Sequence, residues 1–489
     1  MSQLSLGKKV AIGAAWSILA RFFVKSLGFI SILILARILV PEDFGIIAAT
    51  MIVVGLFEII FNFSFDINII QRKQVTNHTL NSAWTCKLIA GVSIALLLLI
   101  MSPSIASFFN DERLVSVICA IAGLPVLRSA MNIGFVLYRK ELDLKSEFKL
   151  EAYAKIVSFL VTIGLAITLQ SYWALLIGIY SNAITKFILS YTMHPYRPWF
   201  SLSEARELFA FSKWLLLRNV TFYFSTNAPS FMIGRLSSST NLGYYSISFE
   251  VSNLPTTELL YPLSRAAYPG YVKLSDNPKE LGRLFLKMSR MIVLLIAPIS
   301  FGIAAVSEEL VPALLGEQWL PVIPLLSLLA IYGFFRASSQ NVEGVFIALG
   351  KPRLCFLIFA GLTIFYVPLL YFSYQDLGLN GIAYAMILNA IAYSTISYSF
   401  LKYQLQLSVL SLLNVYMFPL AASITMYLGV TAIGQFLSSV IHNIWLLLLI
   451  KVVLGASIYG VIIISQHMFR PTNSLYDEAV GLIRHLKSH

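Results

Sequence analysis

Charge is what this chain has least of. Only 12% of its 489 residues are Asp, Glu, Lys or Arg, while 58% are hydrophobic, and the mean hydropathy is +0.79. Soluble domains carry about 25% charged residues, so a soluble globular protein is excluded. Cysteine is nearly absent as well. Cys86, Cys119 and Cys355 fall in apolar runs without metal-site or disulfide-framework spacing, and are expected to be free, buried thiols. No Walker A sequence is present, which argues against a nucleotide-driven device. No loop is long enough to fold as a domain outside a membrane, and no His, Asp and Glu cluster converges. An enzyme, a bound cofactor and a metal site are therefore not expected. No basic patch sits in a soluble segment, so nucleic acid is not an expected partner.

What is present is a succession of long apolar runs. A spanning helix needs about 20 mostly apolar residues. Fourteen runs qualify, from 10–38 and 44–71 through 114–138 in the fourth and 354–374 and 378–401 in the eleventh and twelfth, to 443–466. The expected fold is an all-α polytopic membrane protein with 14 transmembrane helices. The net charge of +12 is that of loops on the positively charged inner side. Arg72, Lys73, Arg139, Lys140, Lys273 and Lys351 fall on alternate loops, and Glu42, Asp43, Asp111, Glu308 and Glu309 on the others. An even number of spans with both termini inside follows. Two short amphipathic surface helices are expected, at 201–213, with Ser201 and Glu204 at capping-box spacing, and at 474–489.

Trp16, Arg37 and Gly45 recur as Trp214, Arg235 and Gly243, each offset by 198 residues. "SNAI" at 181–184 answers "LNAI" at 388–391, and Arg128 answers Arg336. A period near 200 residues contains six spans, so the two halves share one orientation, as in a parallel repeat. The expected organisation is an N-lobe at 1–200, a C-lobe at 201–405, and two extra helices with an amphipathic tail at 406–489. Two such lobes would leave a cleft between them. The stretch "LARILVPEDFG" at 35–45 contains the Asp-Phe-Gly triplet of protein kinases, but lacks the glycine-rich loop and catalytic-loop motif that give it meaning. It reads as a turn between spans, with Gly45 and Gly243 letting the chain turn close to the next helix.

A charge at the bilayer centre costs about 2.5–3.5 kcal/mol even on the lenient insertion scale, so charges inside spans call for a reason. Arg21, Lys25, Arg128, Arg218, Arg265 and Arg336 are expected to line a wet cationic cavity for a phosphorylated amphiphile, since the guanidinium fork suits phosphate oxygens. Glu58, Asp66 and Glu343 are the candidates for ion coupling. Lys155 and Lys186 can snorkel to the inner surface, and Lys451 reads as structural. Glu58 and Asp66 could instead neutralise Arg21 and Lys25 within one lobe.

"WSILARFFVKSLGFISILILARILVPEDFG" at 16–45, with its LAR-x-L-x-P-x-D-F-G pattern, and "YWAL" at 172–175 resemble the Wzx/WzxC-type polysaccharide flippases of the multidrug/oligosaccharidyl-lipid/polysaccharide exporter superfamily. The resemblance implies a flippase for undecaprenyl-diphosphate-linked oligosaccharide in a bacterial inner membrane. It implies alternating access, membrane lipids around the chain and a polysaccharide polymerase among its partners. A proton or sodium gradient would drive it, with no cofactor. It places Arg21, Lys25 and Arg265 on the diphosphate. Three readings stay open beside it: a flippase for peptidoglycan precursors, a drug antiporter of the same superfamily, and a membrane-embedded polymerase or glycosyltransferase.

Overall fold

The computed structural model describes residues 6–61, 65–72 and 74–469, with side-chain surroundings for all of these except 6–12, 14, 67–68, 206–218, 262, 266 and 467–469. The expected tail helix at 474–489 lies outside them. Seventeen α-helices follow in order: α1 Leu6–Ile38, α2 Pro41–Phe61, α3 Phe65–Gln71, α4 Asn77–Phe109, α5 Arg113–Ile121, α6 Gly123–Ser129, α7 Val136–Lys140, α8 Leu144–Leu169, α9 Tyr172–Met193, α10 Ala205–Leu236, α11 Ser239–Lys273, α12 Pro278–Ala305, α13 Ser307–Leu314, α14 Ile323–Ala348, α15 Pro352–Leu405, α16 Val409–Val440 and α17 Ile444–Phe469. No strand occurs among the described residues. The protein is an all-α polytopic membrane protein, because only helices and closed barrels satisfy their own backbone groups in lipid.

Among the described residues, ten helices are long and apolar enough to cross a membrane, and an eleventh crossing is made if the bent pair Arg113–Ser129 and Ile133–Lys140 counts as one span. α15 contains a break at Gly378, with φ 60° and ψ −137°, where the sequence places the join between the eleventh and twelfth spans. α10 and α11 are as long as the others but are not among the ten. The segment at 201–213 is not a separate surface helix. From Ala205 it is the first part of α10, and Glu204 makes no side-chain cap. It turns instead to α4 and its approach, where it pairs with Arg72 and accepts from Thr79 Oγ1 at 2.9 Å.

The chain forms two compact units, Met1–Ser246 and Ile247–His489. In unit one, α1 lies along α8. Trp16, the first mark of the repeat, meets the Phe148 ring at 5.2 Å, and the Lys145 ammonium sits 5.8 Å from its face. Gly28 packs where a Cβ would stand 3.5 Å from Lys155 Nζ. At the α1–α2 turn, Asp43 is buried and accepts from the backbone of Tyr172 at 2.9 Å. It fastens the start of α9, and so the carboxylate of the kinase-like triplet caps a helix.

In unit two, α12, α14 and α16 share a core of Ile292, Val293, Ile296, Phe334 and Val415. A second core joins α11, α12, α14 and both arms of α15 through Tyr271, Phe285, Phe346 and Leu401. Buried polar groups inside it are matched: Tyr271 donates to Asn341 Oδ1 at 2.8 Å, and Asn341 donates to Ser289 Oγ at 2.8 Å. All three cysteines are free, but Cys119 is exposed on α5 rather than buried.

Candidate functional site: a charged cavity at the break in span four

The fourth span is not continuous. α6 ends at Ser129, the chain resumes helix at Ile133, and the two parts meet at 57°. No proline lies between them. Asn132 makes the break: its side chain accepts from Gly134 N at 2.9 Å, as in an Asx turn, and donates to the Tyr196 carbonyl at 2.6 Å. Asn132 N donates to Ser190 Oγ at 3.1 Å. The freed carbonyl of Ala130 accepts from Tyr191 Oη at 2.9 Å and Trp84 Nε1 at 3.3 Å. The backbone groups that a broken helix leaves open are thus met by side chains, and the break is built into the fold.

His194 packs on the same turn. A Cβ at Gly134 would stand 2.6 Å from its Nδ1, and Nδ1 accepts from Tyr196 N at 3.2 Å. Burial pushes the imidazole below its usual 6.5, which agrees with the acceptor role of Nδ1.

Around the break lies a cavity of about 370 Å³, lined from α3, α4, α6, α7, α8 and α9. Its walls carry ionisable side chains that meet in pairs. Asp66 of α3 bonds Lys87 of α4 at 2.8 Å. Arg139 of α7 bonds Glu147 of α8 at 2.5 Å, and Lys186 of α9 bonds Glu151 of α8 at 2.8 Å. Arg128 of α6 bonds Glu58 of α2 at 2.7 Å. Three carboxylates and four bases line the cavity, and Glu58 at its rim pairs with the fourth base, so the network as a whole is neutral. These side chains are between 23% and 47% exposed, which means they face open space. At about 1.5 Å per residue, Lys87, Glu151 and Lys186 stand roughly 10–15 Å from the helix ends at which α4 and α8 begin and α9 finishes.

The sequence-derived site residues fall as follows. Asp66 and Arg128 line the cavity, and Glu58 is held to its rim by Arg128. The structure therefore joins one residue expected to bind substrate with two expected to couple ions. Arg21 and Lys25 lie on α1, half-buried and exposed respectively, and both make polar or electrostatic contacts. The side chain of Arg218 lies outside those described. Arg265 of α11 is exposed and donates to Tyr261 Oη at 3.1 Å. Arg336 of α14 is half-buried, 5.9 Å from the Phe249 ring, and its Nε has no hydrogen-bond partner. Glu343 is half-buried two turns further along α14 and engages neighbours of its own. Lys186, read as free to snorkel, is held by Glu151.

Sequence reasoning missed Lys87, Glu147, Glu151 and Asn182. Lys87 carried a usable signal, as the lone charge well inside a 33-residue helix. Glu147 and Glu151 are one turn apart on α8, a spacing that puts both on one face.

Residues 34–324 match the family described as Polysaccharide biosynthesis protein. An uncharacterized membrane protein in the cps region of Klebsiella pneumoniae is 25% identical over 99% of both chains. The lipopolysaccharide biosynthesis protein WzxC of Escherichia coli (strain K12) is 24% identical over 81% of each. Among solved structures, the lipid II flippase MurJ in an inward closed conformation superposes with a TM-score of 0.75 at 12% identity, covering 94% of this chain and 99% of that one.

Proposed function

The chain belongs to the polysaccharide biosynthesis protein family, and from that premise we propose that it is a flippase. It carries undecaprenyl-diphosphate-linked oligosaccharide from the inner to the outer leaflet of a bacterial cytoplasmic membrane, for exopolysaccharide, O-antigen or capsule export. It is a transporter and not a catalyst. Fourteen spans in two six-helix lobes, with both termini in the cytoplasm, move by alternating access. A proton or sodium gradient drives the cycle, with Glu58, Asp66 and Glu343 as the groups whose charge responds to it. Arg21, Lys25, Arg218, Arg265 and Arg336 meet the diphosphate. A polysaccharide polymerase receives the product.

The observation that carries this reading is the cavity at the break in span four. A purely structural ion pair would close on itself in a packed core. Here three pairs and Arg128, itself held by Glu58 at the rim, surround open space of about 370 Å³, with Lys87 the lone charge inside the long apolar helix α4. Ionisable groups are retained inside membranes chiefly along routes for polar substrates and ions, and discontinuous helices mark such routes.

The test is reconstitution of the full chain in liposomes, following movement of a fluorescent lipid-linked oligosaccharide from the inner to the outer leaflet. Gradient-dependent movement supports the proposal. Transport of a cationic dye with no movement of the sugar lipid assigns the chain to the drug antiporters.

A further inference from the structure

We infer that the cavity at the break in span four is a subsite for the neutral sugar portion of the carried lipid, separate from whatever holds the diphosphate. This rests on the proposed lipid-linked oligosaccharide substrate and names the part of it that enters unit one.

The argument is one of charge and hydrogen-bond capacity. The four pairs Asp66–Lys87, Glu58–Arg128, Glu147–Arg139 and Glu151–Lys186 are each closed at 2.5–2.8 Å. A diphosphate entering the cavity would have to displace carboxylates from their bases, and the released carboxylates would repel it. A sugar hydroxyl displaces nothing, because it donates one hydrogen bond and accepts others. It can donate to a carboxylate oxygen and accept from the neighbouring ammonium or guanidinium, inserting as a water would.

Three further features fit a pyranose. Asn182 adds an amide with both a donor and an acceptor, and Phe135 and Leu150 add apolar walls for its C–H faces. The volume lies within the roughly 300–1,000 Å³ of small-molecule sites. The site is also preformed, since Asn132, Trp84 and Tyr191 already meet the backbone of the break. Asn182 and Ala183 belong to the "SNAI" stretch of the internal repeat, so one of the repeated motifs lines the cavity.

The experiment uses the purified full-length protein in detergent and two probes. One is the oligosaccharide released by mild acid from the lipid-linked pool of the host cell, and the other is undecaprenyl diphosphate. Ala183→Leu fills the cavity without touching a charge, and Asn182→Ala removes the amide without adding volume. Each is first checked for a single symmetrical size-exclusion peak. The released oligosaccharide should bind the native protein and bind both variants at least tenfold more weakly, with undecaprenyl diphosphate binding unchanged within twofold. Equal sugar binding by native protein and variants overturns the subsite, as does no binding of the released sugar by a native protein that moves the intact lipid in liposomes. Intact sugar binding by the variants with loss only of the gradient dependence also overturns the subsite and leaves the cavity with the ion-coupling role of Glu58 and Asp66 alone. A native protein that moves no lipid-linked oligosaccharide overturns the proposed function itself, a distinct result.

Discussion

Gly45 and Gly243 lie against each other with their helix backbones in contact. A Cβ at Gly45 would stand 1.6 Å from the Ser239 carbonyl oxygen, and one at Gly243 would stand 1.8 Å from that of Pro41. The contact is reciprocal, and its members are related by the repeat offset of 198 residues, since Ser239 answers Pro41 as Gly243 answers Gly45. Pro41 opens α2 and Ser239 opens α11, so each glycine is the fifth residue of its helix. A self-complementary contact of this kind is what a two-fold relation produces. Neither glycine has a positive φ. Their function is closeness of approach rather than the turn, which corrects part of the sequence reading.

Gly45→Ala and Gly243→Ala should therefore be equally damaging. The obstacle is backbone on both sides, which cannot rotate away as a side chain can. Overpacking costs typically about 1–3 kcal/mol, and both variants should sit at or above the top of that range. The measurement is the thermal midpoint in detergent beside the amount of monodisperse protein recovered. A variant that keeps the native midpoint would show that the two helices separate freely.

Arg21→Ala and Arg265→Ala should abolish export and leave the amount of protein in the membrane near normal. Arg265 is exposed, so its truncation removes little packing and stays within the about 0.5 kcal/mol usual for surface substitutions; Arg21 is half-buried, and the amount of protein in the membrane separates lost packing from lost transport. Transport of lipid-linked oligosaccharide in liposomes gives the first readout and immunoblotting of membranes the second. Normal export by both variants would remove them from the diphosphate site, and loss of both from the membrane would make their role structural.

At the α4–α5 loop, Arg113 bonds Asp111 at 2.8 Å and Glu42 at 2.6 Å, and Ser239 Oγ donates to Asp111 at 2.6 Å. Burial raises the Asp111 carboxyl, but the hydrogen bonds from Arg113 and Ser239 and the Arg113 charge outweigh it, and the net shift is below the usual 3.8. A carboxyl lowered on folding contributes stability that is fully present above its unfolded value and is lost as pH falls through the folded one. The loss should therefore be confined to pH below about 4. Asp111→Asn should lower the thermal midpoint at pH 7 and flatten its fall between pH 4 and 3. An unchanged acid limb in the variant would assign that limb to other carboxylates.

The membrane class, the helical fold and the α1–α2 turn were legible because hydropathy and helix length are local properties. The repeat was legible because identical spacings survive in the chain, and Gly45 and Gly243 were found through it. Pairing was not legible. Glu58 meets Arg128 across 70 residues and Lys186 meets Glu151 across 35. A sequence gives the depth of a charge along its helix but not which neighbouring helix it faces. The break in span four was missed for a different reason. It is made by Asn132 with help from Ser190 and Tyr196, and without those distant partners the segment reads as one apolar run.

Glu309 and Lys451 supply the last prediction. Sequence placed Glu309 in a loop, yet it is 6% exposed, Lys451 is 4% exposed, and the two are bonded. The pair ties α17 to α13. Gly434 of α16 makes room for it, since a Cβ there would stand 2.2 Å from Lys451 Cε. The second carboxylate oxygen, Oε2, has no hydrogen-bond partner. Removing one member of a buried pair leaves a charge without its partner and costs about 3–5 kcal/mol, whereas replacing both by apolar groups of similar size can be neutral. Lys451→Met alone and Glu309→Leu alone should each lower the thermal midpoint strongly. Glu309→Leu with Lys451→Met should recover most of the loss, giving a large coupling in a double-mutant cycle. If the two losses simply add, the pair holds no coupling, and α17 is kept in place by the apolar contacts of Met426, Val430 and Ile458.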